Sequence, residues 1–147
     1  SKPMKTEREI ETYLAYYKSA IKQKRKLIQD YQKKLNKLIE KEKFKDLPFY
    51  ATLISWNTYE MEAQELCLKG LKKIGKKDQI DQLIDDYSKK IDKQKAKIHG
   101  VDPDLNESTI EMWYETIANS DLMHHLVKYQ GWSMFVEDLK AIQDKTI

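Results

Sequence analysis

Apolar side chains in the first third of the chain recur at alternating intervals of four and three residues. Between about residues 6 and 43 these positions are Ile10, Leu14, Tyr17, Ile21, Ile28, Tyr31, Leu35 and Leu38. This heptad spacing is typical of a coiled-coil seam. It is broken only at Lys24, where the pattern requires an apolar residue. A long helix with one apolar stripe is not stable alone in water, so the spacing predicts a helix that packs on partner helices.

The second predicted helix covers about residues 48–74. Pro48 suits its first turn and Gly75 its end. Its apolar side chains cover a wide arc of the helix, which indicates a central position in a bundle.

The third predicted helix covers about residues 79–99, with Asp78 as its N-cap and Gly100 after its end. It repeats the four-three spacing of the first helix. Three helices joined by short loops predict an antiparallel bundle over residues 1–100.

Shorter helices are expected over residues 101–147. Ser108 and Glu111 fit a capping box for one of them. Gly131 should end the next helix, and Trp132 should begin the last. The chain has only 4 Gly and 3 Pro in 147 residues, too few for the turns of an all-β fold. The predicted fold class is all-α: an antiparallel helical bundle with a long N-terminal coiled-coil-like helix and a small C-terminal helical cap.

Charge is distributed unevenly along the chain. Residues 1–45 carry 14 basic and 6 acidic side chains, whereas residues 101–147 carry 3 and 9. The candidate face for an anionic partner on the first helix consists of Lys22, Lys26, Lys33, Lys34, Lys37 and Lys41. Such a face is either a solvated helix surface or a non-specific nucleic-acid surface. Arginine, the main base-reading residue, occurs only at Arg8 and Arg25, which argues against sequence-specific reading.

Catalytic, metal and nucleotide motifs are not recognisable. His124 and His125 are adjacent, so on a helix they point about 100° apart and do not face one metal ion. Cys67 lies in an apolar stripe, where a free cysteine usually behaves as a small hydrophobic residue. We therefore predict a protein without catalytic residues, metal, cofactor or small-molecule substrate.

Aromatic residues give the candidates for a protein interface. Tyr17 and Tyr31 occupy heptad positions, and Trp113 and Trp132 lie in the aromatic-rich tail. Aromatic side chains often anchor protein interfaces. The alternative is that these four residues form the core or edge of the bundle, because a buried tyrosine or tryptophan needs a partner for its polar atom.

These observations favour a non-enzymatic interaction or assembly module that binds a protein partner or a second copy, with a homodimer expected. The alternative is a nucleic-acid-associated accessory protein that uses the basic first helix. No apolar run long enough to span a membrane is present, and the single cysteine suits a reducing, cytoplasmic compartment. Lysine, isoleucine and tyrosine usage indicates an A+T-rich genome, such as that of a low-GC bacterium or its phage. A variant of both hypotheses is a phage- or plasmid-encoded regulator or inhibitor of a host complex, in which the acidic tail imitates nucleic acid.

Overall fold

Four helices make up the described part of the molecule. The computed structural model describes residues 5–74, 77–106 and 120–146. In chain order the helices are α1 Lys5–Glu40, α2 Leu47–Lys72, α3 Lys77–Val101 and α4 Ser120–Thr146, with a 3₁₀ turn at Phe44–Asp46. These residues contain no strand, so the predicted all-α bundle is confirmed.

The helices α1 and α2 form an antiparallel hairpin. Tyr31 lies beside Tyr50 near the connecting turn, and Lys24 bonds to Asn57 further along. The hairpin begins with a helix that has no Gly or Pro between residues 5 and 43. Long runs of Lys, Gln, Glu and Leu favour such a helix, and its stripe is buried against the rest of the bundle.

The last helix is longer than expected. The sequence predicted that Gly131 ends one short helix, but α4 runs without interruption through Gly131. This prediction was wrong because glycine here serves close packing: a Cβ built on it would lie 3.1 Å from Cβ of Ala63 on α2. The helix expected from the capping box at Ser108 and Glu111 lies outside the described residues.

The third helix packs differently from the prediction. It was expected to complete a bundle with the first two helices, but α3 packs mainly on α4. Gln94 lies against His125, and Asp81 bonds to Gln143 at the opposite end, which makes the pair antiparallel. A stripe pattern tells which face of α3 is buried and not which helix covers it. Because α4 packs on α1, α2 and α3, it is the helix around which the bundle is built.

The main hydrophobic core draws side chains from all four helices. Its buried members are Ile10, Tyr17, Ala63, Cys67, Leu71, Ile80, Tyr87, Trp132, Phe135, Val136, Leu139 and Ile142. A second cluster lies around Trp56, Ile98 and Leu126. The boundary predicted near residue 100 stays a prediction, although the helix beyond it shares the core of those before it.

The heptad stripe of α1 is covered unevenly. Ile10, Tyr17, Ile21 and Ile28 are buried, as the spacing predicts, whereas Leu35 is only half-buried. Beyond Ile28, the stripe of α1 is therefore less completely covered by the described residues.

A left-handed residue ends α1. Glu42 has a φ of 54°, the Lys43 amide donates to Leu38 O at 2.9 Å, and the Glu42 amide donates to Ile39 O at 3.1 Å. This pair of bonds is a Schellman motif, in which glycine is the usual left-handed residue. No sequence pattern predicts this motif here, because glutamate rarely adopts this conformation.

Candidate functional site

A long groove lies between α1 and α4, with α2 as its floor. Its volume is about 710 Å³. The lining side chains come from three helices: Tyr13, Tyr16, Tyr17, Ala20, Gln23, Lys24 and Leu27 from α1, Glu60 and Gln64 from α2, and Val127, Gln130, Gly131, Met134 and Asp138 from α4. We call this the α1–α4 groove.

One wall follows from the heptad pattern. Tyr13, Ala20 and Leu27 are seven residues apart, so they form a line along one flank of the buried stripe of α1. The bundle covers the centre of the stripe and leaves this flank partly uncovered. These three side chains therefore form the apolar wall of the groove.

The opposite wall is built by α4. Val127, Gly131, Met134 and Asp138 follow one another at helical spacing of three or four residues, so they lie on one face. Gly131 lets α4 approach α2 closely and adds no side chain to the groove. Met134 on this wall and Tyr16 on the other are exposed to 63% and 55%, respectively. The rim is thus apolar on both sides.

Polar groups form the floor. Lys24, the break in the heptad pattern, pairs with Glu60 and donates to Asn57 Oδ1 at 3.1 Å. Trp56 Nε1 donates to the same carboxylate. Gln64 Oε1 is buried and has no hydrogen-bond partner among the described residues. The sequence showed Lys24 as an irregularity but not its partner, which lies 36 residues away.

At one end of the groove, Tyr17 donates a hydrogen bond of 2.9 Å from its hydroxyl to Asp138 Oδ2. Burial raises the pKa of Tyr17 far above its usual range, and the nearby Cys67 and Asp138 add to this shift. Burial also raises the pKa of the Asp138 carboxyl, while the bond from Tyr17 opposes that shift.

The residues predicted for a protein interface do not form one exposed surface in the described part of the chain. Tyr17 and Trp132 are buried by the chain's own helices, which corrects their use as exposed docking residues. Tyr31 is half-buried beside Tyr50, with ring centroids 6.1 Å apart. Trp113 lies outside the described residues. The heptad residues serve the internal core, and exposed Tyr16 and Met134 were not among the candidates.

The lysine face of α1 is placed as the sequence predicted. Lys22, Lys26, Lys33, Lys34, Lys37 and Lys41 are all exposed. Lys34 Nζ lies 5.7 Å from the ring centroid of Tyr50. None of these six lysines lines the α1–α4 groove.

The residues considered for catalysis are engaged in packing. Cys67 is free and almost fully buried, and burial raises its pKa well above its usual range, which disfavours the reactive thiolate. His124 packs edge-on against Tyr59 at 4.8 Å, and His125 Nδ1 lies 3.1 Å from Gln94 Oε1. The two imidazoles thus face different helices.

Among the described residues, no group of three or more His, Cys, Asp or Glu side chains is arranged to hold a metal ion. None of the described helices is long and apolar enough to cross a membrane. Comparison with family models, with curated proteins and with solved structures gives no match for this chain. The functional proposals therefore rest on the geometry of the surfaces described above.

Proposed function

We propose that this chain is a non-enzymatic protein-interaction module that receives an amphipathic helix of a partner protein in the α1–α4 groove. The observation that carries the proposal is an elongated groove with apolar rims, Tyr16 and Leu27 on one side and Met134 on the other. The helices of the chain itself leave these rim side chains exposed. Docking of an amphipathic helix into an apolar groove is a recurring mode of peptide recognition.

The groove defines what the incoming helix must carry. Its apolar walls fit side chains spaced at i, i+3 or i+4, and i+7. The buried acceptor Gln64 Oε1 lacks a donor, and a buried acceptor left unpaired costs about 1–3 kcal/mol. A hydrogen-bond donor in the middle of the apolar face, such as an amide, hydroxyl or ammonium group, satisfies it. This hydrogen-bond donor distinguishes a specific partner helix from other amphipathic helices.

The chemistry of the groove supports binding over catalysis. Lys24 and Glu60 neutralise each other, and Tyr17 is bonded to Asp138. Burial moves the pKa of Tyr17 further from neutrality. An acid–base catalyst works best with a pKa near the working pH, and Tyr17 does not meet that condition.

A second copy of the chain is the first partner to test, because two copies can cover each other's exposed Tyr16 and Met134. We place the module in the cytoplasm, supported by its one cysteine, which is free. Its origin in a phage or plasmid is a proposal supported by residue usage, and a role as regulator or inhibitor of a host complex is a proposal supported by the acidic tail.

Sedimentation velocity over a wide concentration range tests self-association. We expect a dimer that Met134→Arg disrupts, because the arginine places a charge on the apolar rim. Val101→Arg is the matched control, since Val101 is an exposed apolar residue outside the groove. A dimer that both variants disrupt equally contradicts docking in the groove.

If the chain is monomeric, site-specific photocrosslinking in its native host tests a foreign partner. A photoreactive residue at Met134 or Tyr16 should capture one protein that the same residue at exposed Lys89 does not. A ligand helix made from the captured protein should then lose affinity when its central donor is replaced by alanine. Capture at Lys89 with equal yield, or no capture at either groove position, overturns the proposal.

A further inference from the structure

The side of α1 that faces away from the bundle carries a row of lysines without partners. Lys18, Lys22, Lys26, Lys33, Lys37 and Lys41 are exposed, and none has an ion-pair partner in the described part of the chain. By contrast, Arg25 Nη2 on the same helix lies 3.2 Å from Glu65 Oε1, and Lys89 Nζ on α3 lies 3.0 Å from Asp85 Oδ2. The row is therefore an uncompensated positive surface. We call it the lysine row.

The lysine row is long and follows the exposed side of α1. Neighbours four residues apart are separated by roughly 6 Å along a helix, and Lys18 to Lys41 spans about 35 Å. Residues 18–45 carry 11 basic and 3 acidic side chains. The acids Asp30, Glu40 and Glu42 lie within this stretch and are outnumbered. A row of this kind suits a linear polyanion that runs along the helix.

Aromatic rings adjoin the row at the hairpin end. Tyr50 lies beneath Lys34, at 5.7 Å from Nζ to the ring centroid. Phe49 lies against Tyr50, at 5.2 Å between centroids, and is 62% exposed. Phe44 in the 3₁₀ turn is 58% exposed. The positive surface thus leads into exposed aromatic faces that the hydrophobic core does not use.

We propose that the lysine row and the aromatic rings of Phe44, Phe49 and Tyr50 bind single-stranded nucleic acid without sequence preference. Lysines neutralise the phosphates, and aromatic side chains stack on bases. A duplex hides the faces of its bases in the stack, so the rings favour a single strand. With arginine nearly absent from the chain, base edges are not read.

An anionic bilayer also attracts lysines and phenylalanines, but it fits this shape less well. Phe44 and Phe49 lie at the end of the hairpin, whereas Lys18 to Lys26 lie roughly 25 Å or more from that end along α1. If a flat membrane touches the phenylalanines at the hairpin end, the distance from its surface to Lys18, Lys22 and Lys26 exceeds the Debye length of about 8 Å at physiological salt. The membrane then attracts those lysines only weakly. A flexible strand follows the lysine row and reaches the rings at once.

Fluorescence anisotropy with a labelled oligothymidine of about 20 nucleotides tests the proposal. Binding should weaken steeply between about 50 and 200 mM salt, because counterions are released from the phosphates. The variant Lys33→Glu, Lys34→Glu, Lys37→Glu should abolish binding. The control Lys89→Glu, Lys90→Glu, Lys93→Glu changes the net charge equally on exposed positions of α3 and should retain most of the affinity. Circular dichroism and thermal melting verify that every variant is folded.

A separate pair of substitutions tests the contribution of the aromatic rings to binding. Phe44→Ala with Phe49→Ala should lower affinity for the single strand about 5- to 100-fold, with the slope of affinity against salt unchanged. Val101→Ala, at an exposed apolar site outside both surfaces, is the control and should have no effect. Duplex of the same length should bind more weakly than the single strand.

Several outcomes overturn the proposal. These are no binding at the lowest salt, equal loss in the α3 control, or duplex binding as tight as single-strand binding with no effect of the phenylalanine variants. Co-sedimentation with vesicles of phosphatidylcholine and phosphatidylserine, without binding of the oligothymidine, assigns the surface to lipid instead. None of these substitutions changes a residue that lines the α1–α4 groove, so the test of groove binding is independent.

Discussion

The Tyr17 hydroxyl on α1 donates a 2.9 Å hydrogen bond to the Asp138 carboxylate on α4, joining residues 121 positions apart in the chain. Tyr17 is buried, and its ring packs edge-on against Phe135 at 5.8 Å. The bond therefore fixes the helix that starts the bundle to the helix at its centre, at one end of the α1–α4 groove.

Removing this donor should destabilise the fold. Tyr17→Phe leaves a part-buried carboxylate without its hydroxyl partner, which should lower the free energy of unfolding by about 1–3 kcal/mol. Urea denaturation measures this change. Tyr16→Phe, at an exposed ring, is the control and should leave the urea midpoint within error. Equal effects of the two variants would show that the bond does not stabilise the bundle.

Removing the charge of Asp138 should raise the free energy of unfolding, in contrast to Tyr17→Phe. Burial raises the folded-state pKa of this carboxyl above its unfolded value, so the folded state binds the proton more tightly. The free energy of unfolding therefore falls as pH rises from the unfolded-state pKa of Asp138 to its folded-state pKa. Above the folded-state pKa, the full decrease is present. Asp138→Asn keeps an acceptor for Tyr17 and should raise stability at pH 7 relative to wild type. The gain should shrink toward acidic pH in melting experiments from about pH 4 to 7.

The paired histidines should make the bundle weaker in mild acid. Burial, followed by nearby Lys128 for His124 and Lys97 for His125, lowers the pKa of both imidazoles. The unfolded chain then binds protons first as pH falls below about 6.5, so stability decreases until pH falls below the folded pKa values. The double variant His124→Gln, His125→Gln should flatten this part of the stability curve.

Imidazole resonances followed by NMR measure the two values directly. Midpoints at or above the value of a histidine in an unfolded peptide would contradict the predicted acid weakening. A wild-type stability curve that is flat between about pH 5 and 7 would contradict it as well.

Two helical glycines should respond oppositely to alanine. A Cβ at Gly131 would lie 3.1 Å from Ala63 Cβ, which is fully buried and cannot rotate away. The helices must separate, and overpacking of this kind costs about 1–3 kcal/mol, more than the gain of up to about 1 kcal/mol in helix propensity. A Cβ at Gly100 meets nothing within 4 Å. Gly131→Ala should therefore lower the melting temperature and Gly100→Ala should raise it.

Ala63→Gly provides the rescue. In the Gly131→Ala background, Ala63→Gly removes the methyl group of α2 that crowds the new methyl group of α4. The double variant should therefore recover part of the stability that Gly131→Ala loses. No recovery would mean that the close approach of α2 and α4 is not what the glycine serves.

The end of α1 offers a stabilising change. Glu42 has a φ of 54°, a conformation that costs about 1 kcal/mol or more for a residue with a Cβ. Glu42→Gly should raise the free energy of unfolding by up to about 1 kcal/mol. Glu40→Gly, inside the helix, should not stabilise, and a gain in both variants would refute the explanation.

The sequence predicted the class of fold and much of the core of α1. Ile10, Tyr17, Ile21 and Ile28 are buried because heptad spacing places them on one face, and that face must be covered. Lys24 was recognised as an irregularity, but its partner Glu60 was not, because a salt bridge between helices depends on their register.

The arrangement of the helices was not predictable from the same pattern. Periodicity identifies the buried face of α3 but not the helix that covers it. Gly131 was interpreted as a helix end, since glycine in an exposed helix is a breaker, whereas a close contact with Ala63 can select for it. Exposed Tyr16 and Met134 were overlooked as groove residues because neither position belongs to the predicted stripes.

The position of α4 also has a consequence for synthesis on the ribosome. The helix in contact with all three others is the one translated after them. Until its Phe135, Leu139 and Ile142 have emerged, α3 lacks the helix on which it mainly packs, whereas α1 and α2 can already pair as a hairpin. The nascent chain is therefore expected to hold this hairpin first, and α3 gains its main packing surface only when α4 is available.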